Sequence, residues 1–86
     1  MRTPAALNGL NFLRAELDIG RTLVRIARSA NRADKRNRNL LNARKAYESV
    51  LRFMPGVILT TSQSKEIKNK LEQLKKQLRS LGEEVH

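Results

Sequence analysis

The sequence predicts an all-α, antiparallel three-helix bundle with a long first helix, and three observations carry that expectation. Apolar residues recur at steps of three and four through three long stretches. The stretches are separated by a polar, asparagine-containing run and by a Pro-Gly pair, both natural helix stops. No stretch carries a strand signal. With 86 residues, 40% apolar and 30% charged, the chain reads as a single helical domain over residues 1–86. A chain of this size needs a compact, regular core. Phe12, Tyr47 and Phe53 are the only aromatics, so aliphatic side chains must fill it.

The first helix is expected over about residues 10–34, after a tail at 1–9, with Thr3-Pro4 as a candidate earlier start because Pro suits the first helical position. On a helical wheel Leu10, Leu13, Leu17, Leu23, Val24, Ile26, Ala27 and Ala30 share one broad arc. Arg14, Arg21, Arg25, Arg28, Arg32 and Arg36 cluster on the other side. Gly20 falls inside the apolar arc, either as a close-approach point or as a weak spot costing about 1 kcal/mol relative to Ala. Glu16 also falls there, so it should lie at the arc's edge or pair with Arg44 or Lys45.

"DKRNRN", residues 34–39, has no apolar residue and is expected to form the first turn. The second helix then covers about 40–54, with Leu40, Ala43, Tyr47, Val50, Leu51 and Met54 as its inward stripe. Pro55-Gly56 stops it. The connector Val57-Ile58-Leu59 either tucks under the bundle or forms a small sticky patch.

The third helix is expected over about 61–81. Thr60 and Gln63 have the spacing of a capping box, and Gly82 is placed to end the helix before a tail at 83–86. Ile67, Leu71, Leu74, Leu78 and Leu81 form a heptad seam, and Glu66–Lys70 and Glu72–Lys76 are favourable outer pairs. The seam can pack inside one bundle or zip two chains together. A monomer is favoured because the first two helices also need a partner for their apolar faces; a homodimer through the third helix is the alternative.

In "ARKAYESVLRFMP" the positions of Ala43, Tyr47, Val50 and Pro55 resemble the second half of a tetratricopeptide repeat. The upstream half of that motif is not recognisable. A repeat-like hairpin followed by a third helix is also similar to the microtubule-interacting-and-transport domains. Both resemblances imply a scaffold that binds peptides or proteins.

Several function classes are disfavoured. Without cysteine there are no disulfides, thiolate nucleophiles or Cys-type zinc sites, and the redox compartment stays open. His86 is the last residue, and the four glycines are isolated, so no phosphate loop forms. The expectation is a non-enzymatic protein with no catalytic, metal or cofactor site. No apolar run approaches the roughly 20 residues of a transmembrane helix, and "MRTPAALNGLNFL" is a poor signal peptide, so the cytoplasm is the expected location.

The net charge of +10 points toward anionic partners. Residues 14–52 hold nine Arg and two Lys against four acids. Asp18 can reach Arg14 and Arg21 at helical spacing, whereas Arg25, Arg28, Arg32, Lys35 and Arg36 have no acid three or four positions away. Arginine offers a planar, bidentate donor set for carboxylate or phosphate. Arg21, Arg25, Arg28, Arg32, Lys35 and Arg36 are therefore the candidate binding residues. Three readings compete: a solvated face, an acidic protein partner or anionic surface, and nucleic acid held through its phosphates. The preferred function is a protein-interaction or adaptor module. The alternative is nonspecific nucleic-acid binding through the arginine face of the first helix.

Overall fold

The computed structural model describes residues 5–85. It contains helices α1 (Ala5–Ser29), α2 (Ala33–Phe53) and α3 (Thr61–Ser80), with a single 3-10 turn, Met54–Gly56, after α2. The fold is an all-α three-helix bundle, with no strand among the described residues. The Thr3-Pro4 start lies outside the described residues.

Chain direction follows from who meets whom. Phe12 near the start of α1 packs on Phe53 at the end of α2, so these two helices are antiparallel. Arg14 reaches Glu66 near the start of α3, and Arg36 early in α2 reaches Leu81 just past its end, so α3 runs beside α1 and against α2. Gly20 marks the point where all three meet. A Cβ added there would sit 2.7 Å from Leu74 Cδ2 on α3 and 3.6 Å from Ala46 Cβ on α2. The close-approach reading of Gly20 is therefore the one realised.

Around that point Leu13, Leu17, Val24, Val50, Ile67, Leu74 and Leu78 are almost fully buried. Burial of this kind is the main stabilising term, at about 25 cal/mol per Å² of apolar surface removed from water. The α3 seam is buried within the chain from Ile67 to Leu78, with Leu81 partly covered. Tyr47 lies in the same core, and burial raises its phenol pKa, with Glu72 adding to the effect.

The first turn departs from the expected place. It falls at residues 30–32, and "DKRNRN" is helical, so the helices expected over 10–34 and 40–54 become Ala5–Ser29 and Ala33–Phe53. At the end of α1 the Ser29 hydroxyl bonds the carbonyls of Arg25 and Ile26, offering the backbone a local alternative to another helical turn. Arg32 is extended, and Asp34 then sits in the first turn of α2, where the helix dipole favours an acid. Residues 34–38 are exposed and Asn39 is half-buried but polar, so the segment carries no apolar period to reveal the helix.

The tail at 83–86 is corrected as well. Gly82 takes φ +94°, and the Glu83 N–H bonds the Leu78 carbonyl while the Gly82 N–H bonds that of Arg79, a Schellman closure. It turns the chain back. Val85 is buried in the core, and Arg79 holds the Val85 carbonyl through Nε (3.0 Å) and Nη2 (2.7 Å). At the other end of α3 the capping box forms in full between Thr60 and Gln63. In the connector Val57 and Leu59 pack against the core, while Ile58 is 80% exposed, so both readings of that segment hold in part.

Candidate interaction surface

The six candidate cations do not form one continuous stripe, because the turn at 30–32 cuts it. Arg21, Arg25 and Arg28 stay on α1 and are exposed on the flank facing α3. With Val24 and Gln77 they line a shallow depression of about 100 Å³. The Gln77 side-chain oxygen is buried there without a hydrogen-bond partner. Arg32 and Lys35 belong instead to the start of α2. Together with Arg38 and Asn39 they surround Ile26 and Asp34 in a depression of about 610 Å³ on the opposite flank of α1. Arg36 turns a third way, to the Leu81 carbonyl at 3.5 Å, where a cation suits the C-terminal end of α3.

Neutralisation also differs from the helical-spacing argument. Arg32 meets Asp34 at 3.2 Å, two residues away, a pair that helical spacing overlooks because Arg32 lies in the turn. Arg14 bypasses Asp18 and forks onto Glu66, which also accepts from Lys70 at 3.2 Å. The Arg14 fork is the main reason the Glu66 carboxyl is pulled down from 4.5 to about 2. Partial loss of hydration opposes it and Lys70 adds to it. Among the described residues Glu72–Lys76 is not within ion-pair distance, and Glu16 is half-buried without an ion pair. Of its two expected partners, Arg44 and Lys45, Arg44 instead reaches Glu83 at 3.6 Å.

The feature that charge counting missed is apolar. Phe12, Ile19 and Ile26 are 41%, 49% and 37% exposed and follow one another at i, i+7 and i+14. They form a ridge on one face of α1, about 21 Å long at 1.5 Å per residue, whose two ends meet α2 at Phe53 and at Lys35 and Arg38. Ile26 belongs to the predicted inner arc and is corrected to an exposed position, since it lies far around the helix from the face that buries Leu13, Leu17, Val24 and Ala27. At the Phe12 end, Gly9, Phe12, Phe53, Gly56 and Val57 line an apolar notch of about 420 Å³. The two phenyl rings meet edge to face, with centroids 5.4 Å apart at 85°. The seven-residue spacing is present in the sequence, but the inner arc takes in Ile26 alone of the three and leaves Phe12 and Ile19 unassigned.

Among the described residues no three histidine, aspartate or glutamate side chains gather as a metal site. No helix described is long and apolar enough to cross a membrane. Compared with known protein families, with characterised proteins and with solved structures, the chain gives no significant match.

Proposed function

We propose that the protein is a small, basic, non-enzymatic interaction module of the cytoplasm that binds an acidic protein partner. The observation that carries this reading is the exposed ridge Phe12–Ile19–Ile26 beside Lys35 and Arg38, which among the described residues have no acid within ion-pair distance. A merely solvated face does not call for three large apolar side chains in line, and a phosphate backbone makes no use of them. The resemblance of α2 to a tetratricopeptide half-repeat agrees with a peptide-binding scaffold. Purification at low salt tests it: an acidic protein should co-elute at a protein-like 260/280 nm ratio. Recovery of the bare chain at every salt concentration sinks the proposal.

One observation favours the alternative reading. Arg21, Arg25 and Arg28 share one depression with no acid among its lining residues, and seven residues of helix place Arg21 and Arg28 about 10 Å apart. Such a cluster suits nonspecific phosphate contacts, whose affinity falls steeply with salt. If nucleic acid is the ligand, the 260/280 ratio rises, and Arg21→Gln, Arg25→Gln and Arg28→Gln together return it to the protein value.

A further inference from the structure

We propose that the α1–α2 seam receives an amphipathic helix of the acidic partner, with its apolar stripe on Phe12, Ile19 and Ile26 and its acidic end at Lys35 and Arg38. The inference rests on the interaction reading above and specifies its site. The ridge is about 21 Å long, which is the reach of about fourteen helical residues. An apolar i, i+3, i+4, i+7 face can pack along both sides of such a ridge, as in helix-in-groove recognition.

The two ends of the seam differ in chemistry, and that difference selects the occupant. At one end the notch beside Phe12, Phe53 and Val57 presents mainly apolar surface. At the other, Ile26 is ringed by Arg32, Lys35 and Arg38, with Asp34 as the sole acid in the ring. Asp34 is already held by Arg32, and among the described residues Lys35 and Arg38 have no acid within ion-pair distance. A helix bearing apolar residues at one end and carboxylates at the other complements both.

A second copy of this chain does not complement both ends at once. Antiparallel pairing of two seams sets the cationic end on the apolar notch, and parallel pairing sets cations on cations, in chains that each carry +10. A flat bilayer fits the seam less well than a rod, and the cations stand at one end of the ridge rather than around it.

The test selects 18-residue helices from a randomised displayed library against the full chain, then measures the synthetic peptides by fluorescence anisotropy. Ile19→Glu, the pair Lys35→Glu/Arg38→Glu and the control pair Lys65→Glu/Lys76→Glu on α3 all lie at exposed positions, and circular dichroism verifies their folding. Enriched helices should carry an apolar stripe with acids gathered at one end. Their affinity should fall at least tenfold with Ile19→Glu and with Lys35→Glu/Arg38→Glu, and stay within twofold with the control pair.

A selection that yields no helix, or helices indifferent to Ile19→Glu, overturns the proposal. So does a mass of twice 9.8 kDa that Ile19→Glu halves, which assigns the seam to a second copy. Ile19-dependent sedimentation with phosphatidylserine vesicles, in the absence of peptide binding, assigns it to a membrane and also overturns it. An acidic protein co-purifying equally with the unmutated chain and with Ile19→Glu keeps the interaction reading and removes the seam as its site.

Discussion

Arg14 grips Glu66 in a two-pronged fork across fifty-two residues of sequence, with Nε 2.8 Å from one carboxylate oxygen and Nη2 2.7 Å from the other. The fork joins α1 to α3 at the end of the bundle opposite the turn at 30–32, and Lys70 supports the carboxylate from one turn further along α3. Planar bidentate pairing of this kind fixes orientation as well as attraction.

The first prediction concerns acid. The folded value of about 2 for Glu66 lies below its ordinary value of 4.5, so the ionised carboxylate binds protons less readily in the native state than in the unfolded one. Its contribution to stability is therefore complete above pH 4.5 and is lost as pH falls toward 2. An NMR titration should place the Glu66 carboxyl midpoint near 2, and Arg14→Gln should return it toward 4.5. Between pH 5 and 2, Glu66→Gln should flatten the loss of denaturant resistance. An unchanged acid profile in Glu66→Gln rules the fork out as a source of acid sensitivity.

The second concerns Gly20. Replacing a mid-helix glycine by alanine normally gains about 1 kcal/mol of helix propensity. Here the new methyl would lie 2.7 Å from Leu74 Cδ2, and Leu74 is fully buried, so it cannot swing aside into solvent. Overpacking costs about 1–3 kcal/mol and wins. Gly20→Ala should therefore lower stability by about 1 kcal/mol in urea denaturation, and adding Leu74→Val should recover part of that loss. A Gly20→Ala chain more stable than the parent means the helices separate at this point without cost.

The third concerns Val85. Its burial at 5% exposure and the Arg79 fork on its carbonyl tie the residues after Gly82 into the fold. Val85→Ala should cost about 1 kcal/mol, in the range of small core truncations. Val85→Asp should cost more, because it adds an unpaired carboxylate to an apolar site. Tolerance of Val85→Asp at parental stability would mean that this segment does not pack.

Much of the bundle was legible because folding writes apolar periodicity directly into sequence. The α3 seam, the Thr60–Gln63 capping box and the Gly82 stop all appear where their spacing puts them. The first turn falls elsewhere than the sequence suggests because residues 34–38 are helical yet exposed, and periodicity reports burial rather than helicity. The shift carries into the candidate site: Arg32, expected on the first helix, lies in the turn, and Lys35 and Arg36, expected in the turn, lie on α2. Val85 gave no warning, being a lone apolar residue between acids and the last residue. Long-range pairs such as Arg14–Glu66 and Arg44–Glu83 have no local signature at all, so only the packing of three helices defines them.

The last prediction concerns Phe12 and Phe53, which close the apolar end of the seam. Each ring is about half exposed, so burial alone gives an incomplete account of their packing. Their edge-to-face geometry at 5.4 Å adds an electrostatic term of about 0.5–1.5 kcal/mol, because the positive rim of one ring meets the negative face of the other. A double-mutant cycle with Phe12→Leu and Phe53→Leu isolates that term while keeping apolar volume in place. The coupling should be near 1 kcal/mol and favourable, and it should persist at high salt because neither ring carries a net charge. Additive effects of the two substitutions would show that the rings are neighbours without being partners, leaving the notch shaped by Val57 and the backbone at Gly9 and Gly56.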